Sequence, residues 1–239
     1  MRKHTKDNVS RRFNAVVLLL AINLAGYSTA VNAASSAASV ANHRGLVTAI
    51  SADGSSRELV KGSEVFVGDT VSTETPPGSF ALLRFRDQST FAIGRNGKLK
   101  VGDFLYKQSA QTDKLAMRIL KGPFRFISGL IAKRRPKSME VMLSVATIGI
   151  RGTEVGGQVD DDSATVILME SENQNSKSAI EVSNPFGRVT IDQPGWGTDI
   201  PDASSPPSPP RRMRLRTIEN LMRSLRSVGR ISTPRPRVR

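Results

Sequence analysis

Short runs of apolar, often β-branched residues recur along this chain, and most of them end at a turn signal. Leu46-Val-Thr-Ala-Ile50 stops at Ala52-Asp-Gly54, Arg57 to Val60 at Lys61-Gly62, and Glu64 to Val67 at Gly68-Asp69. Val71 to Thr73 leads into Pro76-Pro-Gly78. Phe80 to Phe85 ends at Arg86-Asp-Gln88, and Thr90 to Ile93 at Gly94-Arg-Asn-Gly97. The series continues with Leu115 to Leu120 and Phe124 to Ile127 on either side of Gly122-Pro123. Val141 to Val145, Val155 to Val159, Ala164 to Met169, Ala179 to Val182 and Arg188 to Ile191 complete it. Turn signals roughly every 8–12 residues predict an all-β domain, a sandwich or roll-like stack of short, mostly antiparallel strands. Helical spacing shows only near the end, where Met213, Leu215, Ile218, Leu221, Met222, Leu225 and Val228 alternate with arginines. That pattern predicts a basic C-terminal tail, disordered or partly helical, whose helix forms against a surface.

These patterns divide the chain. A basic start, Arg2 to Arg12, precedes the apolar run Ala15 to Ala25, and Val31-Asn-Ala33 supplies small or aliphatic residues at a cleavage point. Residues 1–33 therefore read as a secretory signal peptide cleaved after Ala33. The apolar run is short of the roughly 20 residues of a membrane span. Residues 34–44 read as a flexible start, 45–200 as the β-domain, 201–210 as a proline-rich linker and 211–239 as an arginine-rich amphipathic tail. The expected location is the periplasm or the extracellular medium.

Charge and composition change this picture in two ways. The net charge of +14 suggests a nucleic-acid binder until it is located. The tail carries ten arginines against Glu219, and the signal five basic residues against Asp7. Residues 34–210 hold 20 basic and 19 acidic residues. The body is nearly neutral, so the basicity says nothing about its partner, and the exported address argues against nucleic acid. Only 5% of residues are aromatic, which predicts a core of Val, Ile and Leu. Cysteine is absent, which removes disulfides, thiol nucleophiles and cysteine-ligated metal.

The segment from Ser144 to Gly157, SVATIGIRGTEVGG, sets glycines among β-branched residues, the signature of a strand that bends or closely approaches another backbone. Three further motifs precede it. These are Gly62…Val67-Gly-Asp-Thr70-Val-Ser-Thr73, Ala81-Leu-Leu-Arg-Phe-Arg-Asp-Gln-Ser-Thr90 and Lys121-Gly-Pro-Phe-Arg-Phe-Ile-Ser-Gly129. The four motifs in this order resemble the FecR domain family, over roughly Gly45 to Ile191. Gln88 stands where that family commonly has a hairpin glycine, and Val155 where it usually has phenylalanine. The resemblance implies the extracytoplasmic sensing part of a signal transducer. With about fourteen residues before the apolar run, the expectation is a stand-alone exported copy, not the full anti-sigma transducer.

The candidate chemistry is sparse. His4 falls in the signal peptide, and His43 is the one remaining histidine. No convincing set of nucleophile, base and oxyanion donors presents itself, so the expectation is a non-enzyme with no catalytic residues and no cofactor. Asp160-Asp-Asp162 reads as a charged hairpin turn rather than a metal site, and Asp69 and Asp87 as turn residues. Arg151 is the leading binding candidate: its guanidinium suits a carboxylate, or it anchors the bend with Glu154 as partner, the structural role being favoured. Thr153 caps the same bend. In the tail, Arg216, Arg223, Arg226 and Arg230 are candidates for contact with a membrane surface or an acidic polymer. The expected partner of the body is an envelope protein or a small ligand.

Overall fold

The computed structural model describes residues 36–107, 112–151, 153–169 and 178–225. Among them are seventeen strands arranged in two sheets that share one member. The first sheet runs in the order β4 (Glu64–Phe66), β1 (Ser36–Arg44), β6 (Phe80–Phe85), β7 (Thr90–Ile93) and the second half of β9 (Lys114–Ile127). It continues through β12 (Glu154–Val159), β13 (Ala164–Leu168), β16 (Trp196–Ile200) and β17 (Arg211–Arg212), with every neighbouring pair antiparallel. The second runs β3 (Ser56–Glu58), β2 (Val47–Ile50), β5 (Thr70–Thr73), β8 (Lys98–Leu105) and the first half of β9. It then passes to β10 (Met139–Met142), β11 (Thr147–Arg151), β14 (Ala179–Asn184) and β15 (Gly187–Ile191). In this sheet β9 and β10 pair in parallel and the other neighbours antiparallel. The all-β, mostly antiparallel expectation holds.

The sequence pattern breaks β9 into two strands at Gly122-Pro123; the structure keeps it whole and bends it there. Residues 114–121 pair with β8, and 122–127 pair with β7 and β12. Gly122 adopts φ +92°, a left-handed conformation open to glycine. A Cβ on Gly122 would stand 2.7 Å from the Gly97 Cα. Pro123, with no N–H, sits just past the bend, where the strand changes sheets.

Alternation decides which residues face inward. On β9, Leu115, Met117, Ile119, Phe124 and Phe126 are buried in the core shared by both sheets. The scarcity of aromatics suggested an aliphatic interior. Instead the few phenylalanines concentrate at its centre. Phe91 stacks on Phe126 at 5.2 Å between centroids, Phe85 meets Phe91 edge-on at 5.4 Å, and Phe124 lies 6.3 Å from Phe126. Each such ring contributes about 1.5–3 kcal/mol by leaving water.

Two stretches expected to be loose are ordered. The start, 34–44, contains β1, which pairs with both β4 and β6 and buries Ala37, Ala38 and Val40. Its Ser/Ala-rich sequence has little intrinsic strand preference, and tertiary pairing overrides it. The proline-rich segment is pinned along the body. Ser208 N–H donates to the Asp199 carbonyl at 2.9 Å, Thr198 Oγ1 donates to the Ser208 carbonyl at 2.6 Å, and Asn184 Nδ2 donates to the Ser205 carbonyl at 2.7 Å. Strand β8 escapes the apolar-run reading because Lys98 and Lys100 occupy its outward positions.

Polar nodes close the loops. Asp69, 1% exposed, is bracketed by the Arg57 guanidinium, and it also accepts the Phe66 N–H at 2.7 Å. Asp87, fully buried, accepts from Ser89 N–H and Oγ–H at 3.0 and 2.7 Å and from Ile131 N–H at 3.4 Å. The last of these lies in α1 (Leu130–Arg134). Gln88, in the turn between Asp87 and Ser89, takes φ +69°. Both aspartates are structural turn residues, as their positions suggested.

The bend at Gly122 generates a direct test. Gly122→Ala forces a side chain into positive φ and against the Gly97 backbone, at a cost of about 1–3 kcal/mol. Urea unfolding should show a loss in that range, and a loss below about 0.5 kcal/mol would contradict the close approach.

Candidate functional site

The glycine-spaced segment crosses from one sheet to the other. Strand β11 ends at Arg151 in the second sheet, and β12 begins at Glu154 in the first. The bend expected from its glycines is this change of sheet. Gly157 has a packing role. It sits opposite Phe124, and a Cβ there would lie 2.5 Å from the ring and 2.3 Å from the Thr165 carbonyl oxygen. Only a glycine lets the core ring close against the strand.

The three candidate binding residues of this segment have separate positions. Arg151 is the last residue of β11, in register with Ala179; its side chain lies outside the described residues. Thr153 is buried. Its N–H donates to Ser128 Oγ at 2.8 Å, and its carbonyl accepts the Ser128 N–H at 3.1 Å. The Thr153 hydroxyl donates weakly to the Glu154 carbonyl at 3.4 Å, a local contact. Glu154 is buried, and its described ionic partner is Arg125, with Nε at 2.7 Å from the carboxylate, in place of the Arg151 partner suggested by proximity in sequence. Arg125 could be found only from register: it follows Phe124, so it points away from the core, and it faces Gly156 across the ladder.

The tail also differs from expectation. Of its candidates, Arg216 is exposed on α2 (Leu215–Leu225); Arg223 belongs to the same helix, with its side chain outside the described residues. Arg226 and Arg230 lie outside the described residues. The surface against which the helix forms is the protein's own. Met213, Ile218 and Leu225 pack with Phe80, Leu82, Ala92, Ile167 and Met169 on the outer face of the first sheet. Gly197 makes room: a Cβ there would be 2.7 Å from Met213 Cε. No helix among the described residues is long and apolar enough to cross a membrane.

Where α2 meets the bend of β9, the surface leaves a groove of about 680 Å³. Arg95 and Asn96 of the β7–β8 turn, Lys121 beside the bend, Gln158 of β12, Thr165 of β13 and Asn220 of α2 line it. The groove mixes polar and apolar surface, and part of its charge is already matched. Lys121 Nζ meets Asp161 at 2.7 Å, Gln158 Nε2 donates to Asp160 at 2.9 Å, and Thr165 Oγ1 donates to Asp199 at 2.8 Å. Among the described residues, none of the ion pairs involves Arg95. The hydroxyl, amide and guanidinium groups can hydrogen-bond a small polar molecule or the backbone of a docked chain. Asp160 to Asp162 form the β12–β13 turn, closed by the Asp160 N–H bond to the Ser163 carbonyl at 2.9 Å.

Comparison with known proteins supports the resemblance. Residues 69–174 match the family model described as FecR protein. The match begins at the buried Asp69 and takes in the bent β9 and the sheet crossing. Two solved structures of a candidate anti-sigma factor from Parabacteroides distasonis ATCC 8503 are similar, each at 11% identity. TM-scores are 0.45 and 0.46, over 63% of this chain and 62% of theirs. The chain thus spans less than two thirds of the length of those structures. No curated protein matches.

The Arg125–Glu154 pair predicts non-additive energetics. Arg125→Met should destabilise by about 1.5–3 kcal/mol, the range for hydrogen bonds to charged groups, because Glu154 stays buried without its partner. Arg125→Met with Glu154→Gln should recover more than half of that loss in urea unfolding. Simple additivity of the two single effects would show that the carboxylate does not depend on Arg125.

Proposed function

Starting from the FecR match at 69–174, we propose that this protein is an exported, non-catalytic sensing and interaction module of a signalling system, acting in the cell envelope. It binds a partner protein or small polar ligand through the groove beside the β9 bend. The observation that carries this reading is the groove itself. It gathers Arg95, Asn96, Gln158 and Asn220 from three separate segments of the chain, beside the bend of β9.

Export rests on the basic start, the apolar run and Val31-Asn-Ala33. The first described strand, β1, begins at Ser36, just past the expected cleavage point. The body would therefore survive cleavage with its first strand intact. The rival reading, in which the tail carries the function at a membrane surface, is disfavoured by packing. Met213, Ile218 and Leu225 are already engaged with the first sheet and are not free to enter lipid.

Two measurements check this reading. A photo-crosslinking residue at Asn96 or Gln158 should capture a discrete envelope protein in the producing cell, while the same residue at the remote, exposed Lys61 should not. Equal yields from all three positions, or none from the groove, would remove the groove from the mechanism. N-terminal sequencing of the exported protein should read from Ala34, and a chain still beginning at Met1 would overturn cleavage.

A further inference from the structure

The outer face of the second sheet carries a charge arrangement that its fold does not require. On β8, Leu99 and Val101 are fully buried, and Lys98 and Lys100 point outward. On β9, Met117 and Ile119 are buried, and Arg118 points outward. The register then sets like charges directly opposite one another, Lys100 against Arg118 and Lys98 against Lys121. Facing positions on neighbouring strands bring Cβ atoms to about 4.5–5.5 Å, where like charges destabilise the pairing.

The surroundings do little to neutralise this cluster. Lys121 reaches away to Asp161. Among the described residues, none of the ion pairs includes Lys98, Lys100 or Arg118; Arg118 Nη2 lies 3.7 Å from Met142 Sδ. The flanking residues of β5 in the same rows are Thr70 and Ser72. Across the remaining strands the row passes through Met142, Thr147 and Ser183 to the exposed Arg188. Glu58 closes the Lys98 row beyond Ser72 and Thr48, and Glu140 and Glu181 stand one row away from Arg118, with Glu140 acting on Lys114 together with Asp103.

The result is a narrow stripe that crosses the strands. From β8 to β15 it spans five strand spacings, about 24 Å. Cations mark its two ends, Met142, Thr147 and Ser183 lie between them, and acids flank it. A membrane would meet the acids as well as the stripe, and single-stranded nucleic acid stacks on aromatic side chains, which this row lacks. The body as a whole is nearly neutral, so the cluster is a matter of placement rather than composition.

We propose that this stripe binds a linear anionic polysaccharide, with Lys98, Lys100 and Arg118 taking its carboxylate or sulfate groups and the Thr and Ser hydroxyls taking its sugar hydroxyls. The site lies on the other sheet from the groove and does not depend on the groove's function. The like-charge pairs are then the stability given up to hold the polymer.

The test uses the full chain, with polygalacturonate and dextran sulfate as probes. Lys100→Glu creates an opposite-charge pair with Arg118. It should raise the melting temperature and, in the same protein, weaken binding to both polymers at least tenfold. Lys98→Ala with Lys100→Ala and Arg118→Ala should weaken binding similarly. Arg235→Ala with Arg237→Ala and Arg239→Ala, which remove the same charge from the tail, should have less than a third of that effect. Equal losses from the sheet and tail variants would mean that total charge alone governs binding and would overturn the proposal. Unchanged binding by Lys100→Glu would overturn it as well.

Discussion

One strand that belongs to both sheets is the constraint on which this structure depends. The first half of β9 completes the second sheet and its other half completes the first, so a single backbone path sets the distance and angle between them. Neither half could shift without moving β8 and β10 on one side or β7 and β12 on the other. The bend needs a residue without a Cβ at positive φ, and the close passage of Gly97 removes what room remained. Packing follows from this geometry. The alternation along β9 is re-phased at the bend, so that Met117 and Ile119 before it and Phe124 and Phe126 after it all enter one interior.

Around that strand, loops are held by buried polar nodes rather than by length or flexibility. Asp69 with Arg57, and Asp87 with Ser89 and the first N–H groups of α1, satisfy donors that turns would otherwise leave unpaired. Ser128 and Thr153 exchange two hydrogen bonds where the chain passes from β11 in the second sheet to β12 in the first. These nodes coincide with the motifs that made the sequence look FecR-like. The motifs are thus explained by structural demands.

The outer faces of the two sheets differ in consequence. The first is largely apolar near Phe80, Leu82 and Ile167, and the end of the chain covers it. The second is polar and open, and it concentrates cations where the ladder would favour alternating charge. A groove lies at the edge of the covered face, and a stripe lies across the open one. The groove and the stripe are chemically distinct surfaces.

The sequence by itself determined the class of fold, most strand positions and the turn chemistry, because alternation, β-branching and Gly/Pro/Asp signals are local and act within a few residues. It also located the basicity at the ends of the chain. Three things were decided only by tertiary structure. The Ser/Ala-rich start became a core strand because β4 and β6 supply pairing that its own residues do not favour. The proline segment and tail helix lie on the body because Gly197 and the apolar outer face of the first sheet accept Met213 and Ile218. The partner of Glu154 is Arg125, 29 residues away in the chain, since register sets Arg125 opposite Gly156 and so diagonally across the ladder from Glu154. Contacts of that kind depend on the sheet order, and the sheet order follows from one bend in β9.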